Sequence, residues 1–214
     1  MAKVKKFFVC NQCGYETSKW LGKCPECESW NTFSEEIVTE APSKYNKAAT
    51  NIFDSAAVKS LKDINSSEEM RYVTDIGELD RVLGGGMVPG EIVLISGDPG
   101  IGKSTLLLQM CNSVKKDMKI LYATGEESSR QIKLRALRLG VEGENLFIYA
   151  GTNLMSIIGI IEEQKPDLVV VDSIQTMMIS EISSSAGSIT QIRECTQQLI
   201  KTGKTNEIPI FLVG

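Results

Sequence analysis

The chain has 214 residues, enough for one full domain with a small module beside it, and its 42% hydrophobic and 23% charged content is ordinary for a soluble globular protein. No apolar run approaches the roughly 20 residues of a membrane helix, and Met1–Cys10 lacks the apolar stretch of a secretion signal, so the expectation is a cytoplasmic protein without a membrane partner. The net charge of −4 gives no global attraction for nucleic acid but leaves room for a local basic surface, and the absence of histidine excludes histidine base catalysis and histidine metal ligation within the chain.

The first element is a cysteine module. Cys10-Asn-Gln-Cys13 and Cys24-Pro-Glu-Cys27 are two C-x-x-C knuckles separated by ten residues. Each knuckle brings two thiolates to one metal, and two knuckles complete a tetrahedron with no open position, so the metal is structural. Zinc is the expected ion, with rubredoxin-like iron and a pair of disulfides as the alternatives. About 30 residues cannot build a sufficient core without such a clamp, and Phe8, Trp20, Trp30 and Phe33 are expected to pack around it. Residues 1–33 are read as the module. Residues 34–70 follow without periodicity and read as a solvated linker, with a short element around 52–64.

From Arg71 the pattern becomes regular. Strands are predicted at 91–97, 119–124, 145–150, 168–173 and 209–213, and helices at 103–116, 128–139, 154–164 and 188–201. Alternation of this kind gives an α/β fold whose parallel central sheet is covered on both faces, with ligands bound at the carboxyl ends of the strands.

Between the first strand and the first helix of that series stands Gly97-Asp98-Pro99-Gly100-Ile101-Gly102-Lys103-Ser104. It fits G-x-x-x-x-G-K-[ST] with the strand before and the helix after that a phosphate-binding loop requires. Glycines let backbone N–H groups turn inward, and the helix start adds its unpaired N–H groups and positive dipole end. Lys103 would reach the β- and γ-phosphates, and the Ser104 hydroxyl would ligate Mg²⁺. Asp167-Leu-Val-Val-Val-Asp172-Ser173 is an apolar strand ending in an acid about 70 residues later, suited to orient Mg²⁺ through its water shell. Glu126 and Glu127 follow the 119–124 strand; either could orient or deprotonate an attacking water, and the plainer reading is an acidic approach to the next helix. Cys111 and Cys195 read as small core residues.

Thr74-Asp-Ile-Gly-Glu-Leu-Asp80, Leu83-Gly-Gly-Gly-Met-Val-Pro-Gly90 and the phosphate loop together resemble the opening of RecA/KaiC-type ATPase domains. With the four-cysteine module in front, the chain resembles the RadA/Sms family of bacterial DNA repair and recombination ATPases. Gly125-Glu-Glu-Ser128 and Val171-Asp-Ser-Ile-Gln-Thr176 share that family's character. The resemblance implies a RecA-like core assembling as a ring, ATP held between subunits, and branch migration on recombination intermediates. It implies Glu126 as the catalytic glutamate with Glu127 as alternate, Lys103, Ser104 and Thr105 on Mg-ATP, Asp172 assisting hydrolysis, and Gln175 as a sensor of nucleotide state. It puts residues 178–188 in the place of a DNA-facing loop, with Arg193 either a phosphate contact or a solvated helix arginine. The expected partners are single-stranded or branched DNA and a recombinase. Members of that family continue past this chain's last strand, so the expectation is an N-terminal fragment. A KaiC-like signalling ATPase without DNA, and a nucleotide-binding module inactive as a fragment, are the competing functions.

Overall fold

The computed structural model describes residues 4–39, 60 and 70–214. The N-terminal segment and the alternating segment from residue 70 onward form two separate compact units.

In the small unit, β1 (Val4–Cys10) pairs antiparallel with both β2 (Glu16–Thr17) and β3 (Phe33–Thr39). The last pair of the long ladder is Cys10 with Phe33, so the ladder ends at the first cysteine. β3 continues through Thr39, past the expected edge of the module at 33, because Ser34–Thr39 complete the ladder that β1 leaves open. The rest of the expected linker, with its short element around 52–64, lies outside the described residues apart from residues 60 and 70. The aromatic expectation is corrected. Val9, Cys10 and Cys24 are buried, while Trp20 and Trp30 stand 55% and 71% exposed and Phe8 and Phe33 are half-buried. A unit this small has too little interior for four aromatic rings once the cysteines occupy its centre.

The large unit begins with α1 (Gly77–Val82), a six-residue helix too short to show a period in the sequence. It then alternates β4 (Ile92–Ile95), α2 (Lys103–Ser113), β5 (Ile120–Thr124), α3 (Ser129–Arg138), β6 (Leu146–Ala150), α4 (Leu154–Gln164), β7 (Leu168–Asp172), α5 (Ile189–Asn206) and β8 (Ile210–Val213). The five strands of this unit form one parallel sheet in the order β4-β8-β7-β5-β6. Every residue of β5, β7 and β8 is buried, which is why these strands read as unbroken apolar runs.

Successive side chains of a strand point to opposite faces, and the core divides accordingly. Leu121, Ala123, Val169, Val171, Ile210 and Leu212 pack with α4 and α5 residues such as Ile157, Ile161, Cys195 and Leu199. Ile120, Tyr122, Leu168, Val170, Phe211 and Val213 pack with Leu107, Leu108, Met110 and Cys111 of α2 and Ile132 of α3. Each fully buried aliphatic side chain stabilises the fold by about 1.5–3 kcal/mol, so this period of two holds the register of every strand. The edges are more open: Leu94 of β4 is 61% exposed and Phe147 of β6 is 50% exposed. Cys111 and Cys195 are buried as expected, and burial pushes their thiols up to about 12 and about 11.

α5 outruns its expected end at 201 by five residues. The sequence there, Thr202-Gly-Lys-Thr-Asn206, is poor in helix formers. The helix persists because it lies close against the sheet: a Cβ on Gly203 would stand 2.8 Å from Ile92 Cδ1 and 3.1 Å from the Ile208 carbonyl.

Candidate nucleotide and metal sites

All three acidic or phosphate-binding motifs emerge at the carboxyl end of the sheet, because β4, β5 and β7 run parallel and each motif follows its strand. They line one cleft of about 920 Å³, whose walls include Gly100, Lys103, Ser104, Glu126, Asp172 and Gln175.

The loop after β4 holds Gly97, Gly100 and Gly102 at φ 156°, 81° and 106°, a conformation that side-chain-bearing residues rarely adopt. Gly102 is the cap from which α2 starts at Lys103, so the first helical N–H groups are unpaired and face the loop. Lys103 Nζ donates to the carbonyls of Gly97 (2.6 Å) and Asp98 (3.2 Å). An ammonium has three donors, so one remains for an anion at the loop. Pro99 and Thr105 also line the cleft, whereas Asp98 and Ile101 do not, and Ile101 points outward at 70% exposure. These two belong to the loop's spacing and contribute no side chain to the cleft.

The end of β7 and the end of β5 are joined. The Gly125 N–H donates to the Asp172 carbonyl at 3.0 Å. Gly125 is needed there, since a Cβ would stand 2.2 Å from Thr176 Oγ1. Asp172, 5% exposed, accepts a 2.5 Å hydrogen bond on Oδ2 from the Tyr122 hydroxyl. Burial first, and then the Asp172 charge, push the Tyr122 phenol far above its ordinary value, so it stays a donor. Gln175 sits in the 3-10 turn Ile174–Thr176 that follows.

The two glutamates differ in their surroundings. Thr124 Oγ1 accepts from the backbone N–H of both, at 3.3 and 3.2 Å, fixing the turn that carries them. Glu126 Oε1 accepts from the Ser173 hydroxyl at 2.6 Å. Glu127 Oε1 is bound instead by the Arg135 guanidinium of α3. Neither carboxylate caps α3: Ser128 does so, with Gln131 closing the reciprocal capping box. The acidic pair still stands just before the start of α3, where negative charge is favourable, so both readings of it remain open. Sequence reading missed Tyr122, Ser173 and the cleft-lining Arg135 and Arg138. Tyr122 lay inside a strand and the arginines inside an amphipathic helix, and only the fold brings the Tyr122 hydroxyl to Asp172 and the arginines to the cleft.

The expected loop at 178–188 is partly clasped. Gln191, fully buried, accepts from the Ile179 N–H at 2.9 Å and donates to the carbonyls of Ile179, Ile182 and Ser184 at 3.2, 3.3 and 3.0 Å. Arg193 is exposed and pairs with neighbouring Glu194 at 3.8 Å, a placement that both readings of it share.

In the small unit the Sγ atoms of Cys10, Cys13, Cys24 and Cys27 all lie within 4.8 Å of one another. The pairs Cys10–Cys27 and Cys13–Cys24 are each 3.6 Å apart. Sulfurs in a disulfide are bonded at about 2.05 Å, and those around a tetrahedral zinc at about 2.3 Å lie about 3.8 Å from each other, so the spacing fits a metal and not a pair of bridges. Burial opposes ionisation of Cys10, but the Thr32 hydroxyl and the N–H groups of Gln12 and Cys13 overcome it and lower the thiol to about 6. At Cys13 the Tyr15 backbone favours the thiolate, but burial and the neighbouring thiols of Cys27, Cys24 and Cys10 outweigh it and push the thiol up to about 12, so the cluster carries one negative charge more readily than several until a cation is present.

Comparison with known proteins finds a metal-binding family and an ATPase family along the chain. Residues 8–35 match the rubredoxin metal binding domain family, and residues 72–148 match the KaiC ATPase family. Over the whole chain, the similar curated proteins include the DNA repair protein RadA of Bacillus subtilis (49% identical), of Listeria monocytogenes (50%) and of Aquifex aeolicus (45%). The chain spans 47% of each of these relatives, about half their length. No helix among the described residues is long and apolar enough to cross a membrane.

Proposed function

The chain belongs to the RadA family, and from that premise we propose that it is the ATP-hydrolysing part of a DNA-dependent ATPase that acts in DNA repair and recombination. The observation that carries this reading is the convergence of Lys103, Ser104, Asp172 and a Ser173-held Glu126 on one cleft. A nucleotide site that only bound its ligand would have no need of a carboxylate fixed opposite the phosphate loop.

The residues divide the work. The loop N–H groups and Lys103 bind the β- and γ-phosphates of ATP, and positive charge there favours the developing negative charge of transfer. Ser104 and Asp172 would hold magnesium, which when bound neutralises phosphate charge. Glu126, with Oε1 fixed by Ser173, orients a water for attack on the γ-phosphorus and takes up its proton, while the bond from that phosphorus to the β–γ bridging oxygen breaks and ADP leaves with phosphate. Glu127 keeps Arg135 at the cleft wall. Gln175, one turn from Asp172, is placed to read whether the γ-phosphate is present. Residues 178–188 would couple that state to DNA at the centre of a ring, and the whole protein would drive branch migration beside a recombinase in the cytoplasm.

The test is ATP turnover of the full-length protein with and without single-stranded DNA. Stimulation supports the DNA-dependent reading. Turnover that ignores DNA, with nucleotide binding intact, would favour the KaiC-like signalling alternative and sink this one.

Zinc is proposed for the four cysteines, with a separate expected result. Elemental analysis of reduced protein should give one zinc per chain, and Cys24→Ser should lose it. The chain's two tryptophans, Trp20 and Trp30, both lie in the small unit, so their emission reports that unit alone. Chelation should change this emission while the melting of the large unit stays in place, because the metal supplies folding energy only where it is bound. Iron in place of zinc would overturn the zinc assignment, and no metal at all would overturn the module's role.

A further inference from the structure

We propose that Tyr122 is a positioning residue for the magnesium site: its hydroxyl holds the Asp172 carboxylate in the orientation that the metal's water shell requires. The inference rests on the nucleotide-site reading above and deepens it.

The sheet register makes the arrangement possible. Thr124 is paired with Asp172, and Tyr122, two residues earlier, with Val170. Residues two apart share a face, so Tyr122 and Asp172 lie diagonally on the same side of the sheet, under α2. That diagonal is within reach of an aromatic side chain. The Tyr122 ring belongs to the apolar cluster that also contains Leu107, Met110 and Phe211, and phenylalanine would fill the same space. The hydroxyl is the part that packing does not require, and it meets Asp172 Oδ2 at 2.5 Å.

The consequence is directional. An aspartate at the lip of a cleft has several rotamers open to it, and only some present an oxygen beside Ser104. Pinning Oδ2 from below selects one and leaves the other oxygen for the cleft. The next residue, Ser173, holds Glu126 in the same way at 2.6 Å. One strand end thus carries the metal-side acid and the orienter of the water-side acid. Tyr122 anchors the first of these from the neighbouring strand.

The experiment uses the whole chain with Tyr122→Phe, and reads binding of a fluorescent ADP with and without magnesium, with Lys103→Ala as the control for the site. A hydrogen bond to a charged group is worth enough that its loss should raise the magnesium concentration for half-maximal effect roughly 10-fold. Magnesium-free ADP affinity should stay within about 2-fold, since the phosphate loop does not use Tyr122. A fluorinated tyrosine at this position, which keeps shape and donor, should restore the wild-type requirement. Adding Tyr122→Phe to Asp172→Asn should change nothing further. A core-packing role alone would lower thermal stability and leave the magnesium requirement where it was, which overturns the proposal. Wild-type chain that binds no nucleotide, or Lys103→Ala that binds it as well as wild type, would instead overturn the site reading and the proposal with it.

Discussion

Replacing Lys103 by alanine is expected to lower nucleotide affinity by at least about 100-fold and to remove hydrolysis. Charge-assisted hydrogen bonds contribute about 1.5–3 kcal/mol each, and a lysine serving two phosphates makes more than one. The substitution should not cost the fold. Lys103 is half-buried at the first position of α2, and its hydrogen bonds are to the loop carbonyls of Gly97 and Asp98 rather than to the core. Equilibrium binding of fluorescent ADP, beside a melting curve, checks both statements. Wild-type affinity in Lys103→Ala would mean that the loop does not bind phosphate.

The second large effect separates the two glutamates. Glu126→Gln is expected to cut ATP turnover by about 100- to 10,000-fold, the span of a positioned general base, with ATP binding retained. Glutamine keeps the hydrogen bond from Ser173 but has no carboxylate to take a proton. Glu127→Gln should act differently. It removes the charge that pairs with Arg135, and at side-chain exposures of 22% and 25% the guanidinium is left mostly buried and poorly compensated, so a stability loss of about 1–3 kcal/mol is expected. Turnover should fall by no more than about 10-fold, through the displaced Arg135. Single-turnover hydrolysis of the two variants decides the matter, and the reverse ranking would reassign the catalytic role to Glu127.

These two glutamates also mark where sequence reading stopped. Both carboxylates follow a strand, and either satisfies the requirement for an acid at its carboxyl end. Nothing in Gly125-Glu-Glu-Ser128 says which is committed to an ion pair, because Arg135 lies eight residues from Glu127 and Ser173 lies 47 from Glu126. The same holds for Tyr122, whose role depends on a partner 50 residues away. Trp20 and Trp30 show the opposite failure. Aromatic residues beside four cysteines invite a core assignment, and a unit centred on sulfur has no interior to spare for them. α5 overran its expected end because close packing at Gly203 outweighed local propensity.

What the sequence determined by itself was everything local. Paired C-x-x-C knuckles hold four thiols near one metal whatever surrounds them. Glycine spacing sets the curl of the phosphate loop, and unbroken apolar runs set the buried parallel strands. What only the tertiary structure decided was which distant groups meet. Strand order brought β5 beside β7, and register set Thr124 against Asp172. The physical reason is that a period of two or of 3.6 fixes which face a residue takes, while the partner on that face comes from sheet order and register.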